Sequence, residues 1–305
     1  MKTWNIILLL LAISDCATHT TKIMTFEPTK EVLQATELSK QVKLFEKQLG
    51  IRTGASLSQN YSEKNPESRL FIWLQKKGYL KYPALRLQVK FNSEKEKVAL
   101  KNAITWDSPY SIYFRIENEF SDKTSVITKS FASYNLWRQI TVIIHEDLHS
   151  HFSLPLNYEE QIITPLGDIT ATKFLIEKNN EKELEKLKKN IKQLRALSQE
   201  LNNLVRDAEK TFDSDNLEES RKILFEKLKY YNVYSRTHAP KKIESLEAKI
   251  SHDLTYWSLY DFIFFLYERL GNYELLLKKL EKLPNNEYGI ETEINILKEK
   301  YKYSH

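Results

Sequence analysis

His145, Glu146 and His149 form an HExxH pattern within one short segment of the chain. On an α-helix, residues four apart lie above one another on the same face, so both imidazoles can reach a single ion. Zinc takes nitrogen and oxygen ligands in tetrahedral geometry, and a catalytic site keeps one position for water. Glu146 is rotated by about 100° around the helix from His145, which places its carboxylate beside that water as a general base. The pattern is typical of zinc peptidases.

The helix that carries this pattern must be held rigidly for both histidines to share one ion. The four residues before His145, from Thr141 to Ile144, are apolar or β-branched, which indicates a helix buried on that side. The alternative is a surface helix with two solvated histidines, and the apolar run argues against it. We therefore predict a buried helix from Asn135 to about Phe152. His151, two residues past the pattern, is expected on another face of the helix, in solvent.

A third ligand is expected from the helix that follows, where Glu159 and Glu160 are the candidates. No glycine and histidine follow His149 with the metzincin spacing HExxHxxGxxH. A glutamate from a second helix is therefore favoured as the third ligand. We predict Glu160 as the third ligand of a Zn²⁺ ion, with Glu159 left open. Asn157 is a good N-cap with Glu160 at its third helical position, so a capping box without metal is the alternative.

Together, the HExxH pattern and the stretch from Asn157 to Thr164 resemble a bacterial family of gluzincin-like aminopeptidases, in which HExxH is followed by Asn-Glu-x-Phe-Ala-Thr. Aligning Glu160 with the family glutamate places Ile162, Ile163 and Thr164 on the family's Phe, Ala and Thr. The resemblance covers about residues 65 to 285. It implies an α+β fold with a zincin-like catalytic half and peptide hydrolysis with Glu146 as the general base.

Two departures from the family pattern bear on the site. Pro165 lies within two turns of the start of the glutamate helix and is expected to kink it. Thr164 stands where many gluzincins place an aspartate that orients the first histidine, and Asp168 is the candidate for that role. The Gly-x-Met-Glu-Asn edge strand of the well-known aminopeptidases is missing, although Glu117 or Glu119 could replace its glutamate. Exopeptidase and endopeptidase action therefore both stay open.

Hydrolysis also needs a donor for the oxyanion that develops on the substrate. A helix predicted from Ile243 to Leu270 offers three candidates, His252, Tyr256 and Tyr260. We predict His252 and Tyr256 as catalytic residues. The alternative for each of the three is an ordinary core or surface position.

The N-terminus is typical of an export signal. Lys2 precedes an apolar run from Ile6 to Ile13, which is too short to span a bilayer as a mature helix. Cys16, the only cysteine, follows shortly after, as in bacterial lipoproteins whose acylated cysteine anchors the protein to a membrane surface. The alternative is a soluble periplasmic or secreted protein. We expect a location in the bacterial cell envelope, with the membrane that holds the anchor left open.

Composition excludes several other classes of protein. A hydrophobic content of 41% with 29% charged residues is that of a folded protein. The net charge of +5 is small for the length, and lysines alternate with glutamates, so we expect no nucleic-acid partner. The six glycines form neither a GxGxxG pattern nor a Walker loop, so no nucleotide site is predicted.

Hydrophobic periodicity predicts a mixed α+β half followed by a helical half. The predicted elements are helices at Lys30–Leu49, Asn92–Ala103, Leu217–Tyr231 and a heptad-spaced run from Leu187 to Phe212, with alternating strands at Leu85–Phe91 and Ile112–Phe120. We divide the chain into a signal (1–16), a tether with an N-terminal helix (17–64), a zincin-like catalytic region (65–176) and a helical region that completes the cleft (177–305).

The sequence thus predicts an exported, zinc-dependent metallopeptidase that acts on peptides or proteins. The alternative is a lipid-anchored helical scaffold or binding protein whose metal site is structural or vestigial. Zinc-dependent hydrolysis of another bond, such as a cell-wall amide, also stays open, as does the oligomeric state.

Overall fold

The computed structural model describes residues 28–59, 69–80, 85–91, 93–103, 109–116, 125–212 and 215–303. The predictions of a signal segment and of a lipidated Cys16 lie outside these residues, as do Glu117 and Glu119. Among the described helices, none combines the length and the apolar character needed to cross a bilayer.

The described residues form one small sheet and a larger set of helices, which confirms the α+β class. The strands are β1 (Arg69–Lys76), β2 (Leu85–Lys90) and β3 (Tyr110–Ile116). The helices are α1 (Lys30–Gln48), α2 (Glu94–Ala103), α3 (Lys129–Ala132), α4 (Leu136–His151), α5 (Leu156–Glu177), α6 (Glu181–Thr211), α7 (Leu217–Lys227), α8 (Asn232–Thr237), α9 (Leu246–Trp257), α10 (Tyr260–Leu270), α11 (Tyr273–Glu281) and α12 (Glu287–Lys300). Short 3₁₀ turns lie at Leu228–Tyr230 and Ile243–Ser245.

The sheet is antiparallel with the strand order β2-β1-β3. On one face, Leu70, Ile72 and Ile112 form an apolar cluster with Leu100 of α2. On the other face, Trp73 packs against Ala248 of α9. The central strand β1 was missed by the sequence analysis because both of its faces are covered, so its apolar residues run together without alternating.

Helix α4 lies at the centre of the helical core, packed against α1, α5 and α6. Its residues Ile140, Ile143, Ile144 and Leu148 are fully buried, which confirms the predicted buried helix. His151 is also buried, so the prediction of a solvated side chain is wrong. Its Nδ1 accepts a hydrogen bond from the backbone N–H of Arg52 at 3.0 Å.

The neighbouring helix α5 runs for 22 residues and continues through Pro165. It begins at Leu156 with Pro155 at the N-cap, so Asn157 is inside the first turn and does not cap the helix. Glu160 is therefore not part of a capping box at Asn157, and its carboxylate is available for other contacts.

The predicted helix from Ile243 to Leu270 is two helices. α9 ends at Trp257 and α10 begins at Tyr260. Tyr260 therefore does not share a helix with His252 and Tyr256. Its position and partners differ from theirs, as described below.

A buried ion pair fixes α1 to α4. Asp147, within the HExxH pattern, is fully buried, and both of its carboxylate oxygens accept from Lys43 Nζ, at 2.5 and 2.6 Å. The backbone N–H of Gly54 donates to the same carboxylate at 2.8 Å. A Cβ at Gly54 would clash with the side chain of Ser150, so glycine lets the backbone at this position lie close to α4. The pair holds the HExxH helix in position.

Glu46 is a further buried acid of this cluster, and its carboxyl group is protonated. Burial, followed by the neighbouring Asp147 charge, raises the pKa of Glu46 to about 10, from an ordinary value of 4.5. At neutral pH, Glu46 is thus a neutral acid next to the Asp147 carboxylate.

Glu46 should make the stability of the protein pH-dependent. Its folded-state pKa lies above the unfolded one, so folded Glu46 keeps a proton that the unfolded chain releases, and stability should fall between about pH 5 and pH 9. Glu46→Gln mimics the protonated acid, and its urea-unfolding free energy should fall less over that range. The matched control is Glu177→Gln, on an exposed glutamate. Equal pH slopes for wild type and Glu46→Gln would show that Glu46 is not held neutral.

Candidate metal centre

Helices α4 and α5 bring the three predicted ligands together. His145 Nε2 lies 3.3 Å from Glu160 Oε2, and His149 Nε2 lies 3.6 Å from Glu160 Oε1. One ligand atom from each of the three residues lies within 4.8 Å of the other two. His145, His149 and Glu160 can therefore hold a metal ion.

The surroundings of Glu160 support a cation at this point. Burial acts to raise the pKa of Glu160, but the close contact with His145 and the charges of both histidines hold it below its ordinary value. Glu160 Oε2 is buried and makes no hydrogen bond of normal geometry, although it faces an imidazole nitrogen. Two imidazoles and a carboxylate with an unsatisfied oxygen form a donor set that suits a divalent transition metal.

Glu159 lies on the far side of His149 from this centre. Its Oε1 is 2.6 Å from His149 Nδ1, and its Oε2 accepts from the backbone N–H of Leu154 at 3.1 Å. A carboxylate bound at Nδ1 orients the ring so that Nε2 faces Glu160. This geometry gives Glu159 the role of orienting a ligand and leaves Glu160 as the acidic member of the triad.

Asp168, the candidate for orienting His145, is held by Tyr260. The Tyr260 hydroxyl donates to Asp168 Oδ2 at 2.5 Å, and both side chains are buried. Burial raises the pKa of Asp168 to about 6, while the hydrogen bond from Tyr260 and the charge of His145 act in the opposite direction. Asp168 thus acts on His145 through its charge, and Tyr260 supports Asp168 from within the core.

An open cavity of about 630 Å³ adjoins the triad. His145, Glu146, His149 and Glu160 line it, with Glu146 partly exposed to it. The sheet and α9 also contribute side chains to the lining of this cavity, among them Tyr113, Arg115, Lys249, His252, Asp253 and Tyr256. The predicted residues His252 and Tyr256 therefore share a cavity with the triad.

His252 is buried in a polar and aromatic cluster. Its Nδ1 lies 2.9 Å from Asp253 Oδ1 and its Nε2 lies 3.1 Å from Arg115 Nη1. The ring packs edge-on against Trp73, with 5.0 Å between centroids. Burial lowers the pKa of His252 to about 4, although Asp253 acts to raise it. His252 is therefore neutral at pH 7.

Asp253 is the buried acid at the centre of this cluster. It pairs with Lys249 one turn earlier and accepts from the Tyr234 hydroxyl at 3.0 Å. Arg115, Lys249 and Asp253 were not predicted from the sequence, because no motif marks them and their grouping depends on how α9 packs against β3.

No family model, curated protein or solved structure matches this chain.

Glu159→Gln should weaken metal binding without removing a ligand. The neutral amide polarises the His149 imidazole less, and loss of such a partner lowers metal affinity by about 10- to 100-fold. Competition with a chromophoric zinc chelator measures this change, with Glu177→Gln on the same helix as the control. Complete loss of binding, equal to that of Glu160→Gln, would instead identify Glu159 as a ligand.

Proposed function

We propose that this protein is a zinc-dependent peptidase of the HExxH gluzincin type, with a zincin-like arrangement of α4, α5 and the sheet. The observation that carries the proposal is the convergence of His145, His149 and Glu160 beside an open cavity that Glu146 also lines. The resemblance of the HExxH and glutamate segments to gluzincin-like aminopeptidases supports the same class.

The donor set favours zinc and a catalytic rather than a structural role. Structural zinc sites close all four positions with protein ligands, whereas catalytic sites use three, and two histidines with one glutamate are a known catalytic set. The adjoining cavity gives a substrate access to the remaining position. A structural or vestigial site in a helical scaffold would not need this space.

The residues around the site divide the steps of hydrolysis among them. His145, His149 and Glu160 would hold the zinc ion, which would supply a water molecule of lowered pKa and polarisation of the scissile carbonyl. Glu146 accepts the proton of the attacking water and passes it to the leaving amine. Glu159 orients His149 through its Nδ1, and Asp168 acts on His145 through its charge. His252 and Tyr256 of α9 line the same cavity as the triad, where the substrate would bind.

We place the enzyme in the bacterial cell envelope. This part of the proposal is supported by the apolar run near the N-terminus and by Cys16, whose position is typical of a lipid-anchored exported protein. Peptides or proteins that reach the cell envelope are then its substrates.

Metal analysis and a peptide screen test the class of protein. We expect about one zinc per chain, cleavage of peptides in a screened library, and loss of cleavage on chelation with recovery on adding zinc. His145→Ala and Glu160→Ala should lower both zinc content and activity. Tight zinc binding with no cleavage of any peptide would favour the structural-site alternative.

Glu146→Gln separates metal binding from catalysis. The amide cannot accept the proton of water, so turnover should fall by at least about 100-fold. Zinc content should stay at the wild-type level, because Glu146 is not a ligand. The matched control is Glu185→Gln, an exposed glutamate on α6. Retained turnover in Glu146→Gln would contradict the role given to this residue.

A further inference from the structure

Arg115 is the cationic group that the sheet contributes to the cavity. It lies on β3, an edge strand of the described sheet, opposite Phe71 of β1. The neighbouring positions Phe114 and Ile116 belong to the other face, where Phe114 packs in the apolar cluster with α2. Arg115 therefore lies on the face that meets α9 and the cavity.

Two neutral groups of α9 hold the guanidinium. Arg115 Nη1 lies 3.1 Å from His252 Nε2 and 3.3 Å from the Tyr256 hydroxyl. Since Asp253 faces His252 Nδ1 at 2.9 Å, the ring proton lies on Nδ1, and Nε2 accepts from Arg115. The guanidinium also lies over the Tyr256 ring, 5.5 Å from its centroid. Its position is fixed before any ligand binds.

No carboxylate among the described residues pairs with Arg115, in contrast to two other arginines with little solvent exposure. Arg221 pairs with Glu247, and Arg195 pairs with Asp261. The nearest acid of the α9 cluster, Asp253, is already bound by Lys249 and His252. Because a guanidinium has five N–H donors and the two neutral contacts involve only Nη1, Arg115 keeps donors for another acceptor.

The same cavity contains the triad, so a ligand of Arg115 would also lie near the metal centre. The negative charge of Glu160 acts on the Tyr256 hydroxyl, which Arg115 contacts, so the two sides are within electrostatic reach of one another. A cavity of about 630 Å³ is large enough for a short peptide segment.

We propose that Arg115 binds a carboxylate of the substrate, so that the enzyme favours peptides with a free carboxylate close to the bond that is cleaved. This inference rests on the proposed peptidase function. The planar guanidinium matches a carboxylate in a two-bond geometry, which a lysine cannot reproduce. His252 and Tyr256 are then positioning residues that hold Arg115. The carboxylate is either the C-terminus of the peptide or an acidic side chain.

Calorimetric titration of the zinc-loaded Glu146→Gln protein tests the proposal without turnover. The probes are N-acetylated pentaalanine with a free C-terminal carboxylate, its C-terminal amide, and the amide with glutamate at the central position. We expect one carboxylate-bearing probe to bind at least about tenfold more tightly than the plain amide. The probe that does so identifies the source of the carboxylate.

Variants of two arginines show which group makes the difference. Arg115→Gln should bring the affinity ratio close to one, and Arg115→Lys, which keeps the charge, should retain part of it. Arg138→Gln is the matched control, because Arg138 also lines the cavity but is exposed and stacked on the Tyr134 ring. Circular dichroism and zinc content confirm that each variant is folded and loaded.

The outcomes separate this inference from the proposed function. The inference is overturned if the carboxylate preference persists in Arg115→Gln, if Arg138→Gln removes it equally, or if no probe binds. Should the wild type cleave acid and amide peptides equally well with no effect of Arg115→Gln, the peptidase function stands alone. If no peptide is cleaved but binding still depends on Arg115, the anion site stands and the peptidase function fails.

Discussion

The arrangement of the site depends on one carboxylate, Glu160, buried between two imidazoles from a neighbouring helix. Removing a carboxylate from water costs free energy that only close positive partners or a metal can offset. His145 and His149 supply part of that compensation, and their charges hold the pKa of Glu160 low despite its burial. The packing of α4 against α5 is therefore tied to the electrostatics of the site. A divalent cation would complete the compensation and strengthen the same contact.

Three further acids support the HExxH helix from different directions. Glu159 fixes His149, and Asp168 acts on His145 with Tyr260 behind it. Asp147 ties the helix to α1 through Lys43. Each acid has its own hydrogen-bond donor, and Glu159 restricts the rotation of the His149 ring. This rigidity is what a site with three ligands needs to keep its fourth position open.

The opposite side of the cavity is built differently. The triad is supported by acids, Glu159 and Asp168. The sheet and α9 instead present a cation, Arg115, which neutral groups hold. The α9 acid, Asp253, is used to neutralise Lys249 and to set the tautomer of His252. The cavity therefore joins a side that could hold a metal ion to a side that presents a cation. A polar substrate that lies between them would be oriented by both.

The sequence alone determined the parts of this protein that depend on local spacing. His145 and His149 share a face because helical geometry requires it, and the apolar run before them predicted the buried helix. Glu160 was predicted from its position in the next helix. The central strand β1, the break between α9 and α10, the burial of His151 and the grouping of Arg115 with His252 were decided only by the tertiary structure. These features depend on contacts between residues far apart in the chain, such as those of β3 with α9. A local sequence pattern does not predict which distant side chains will be in contact.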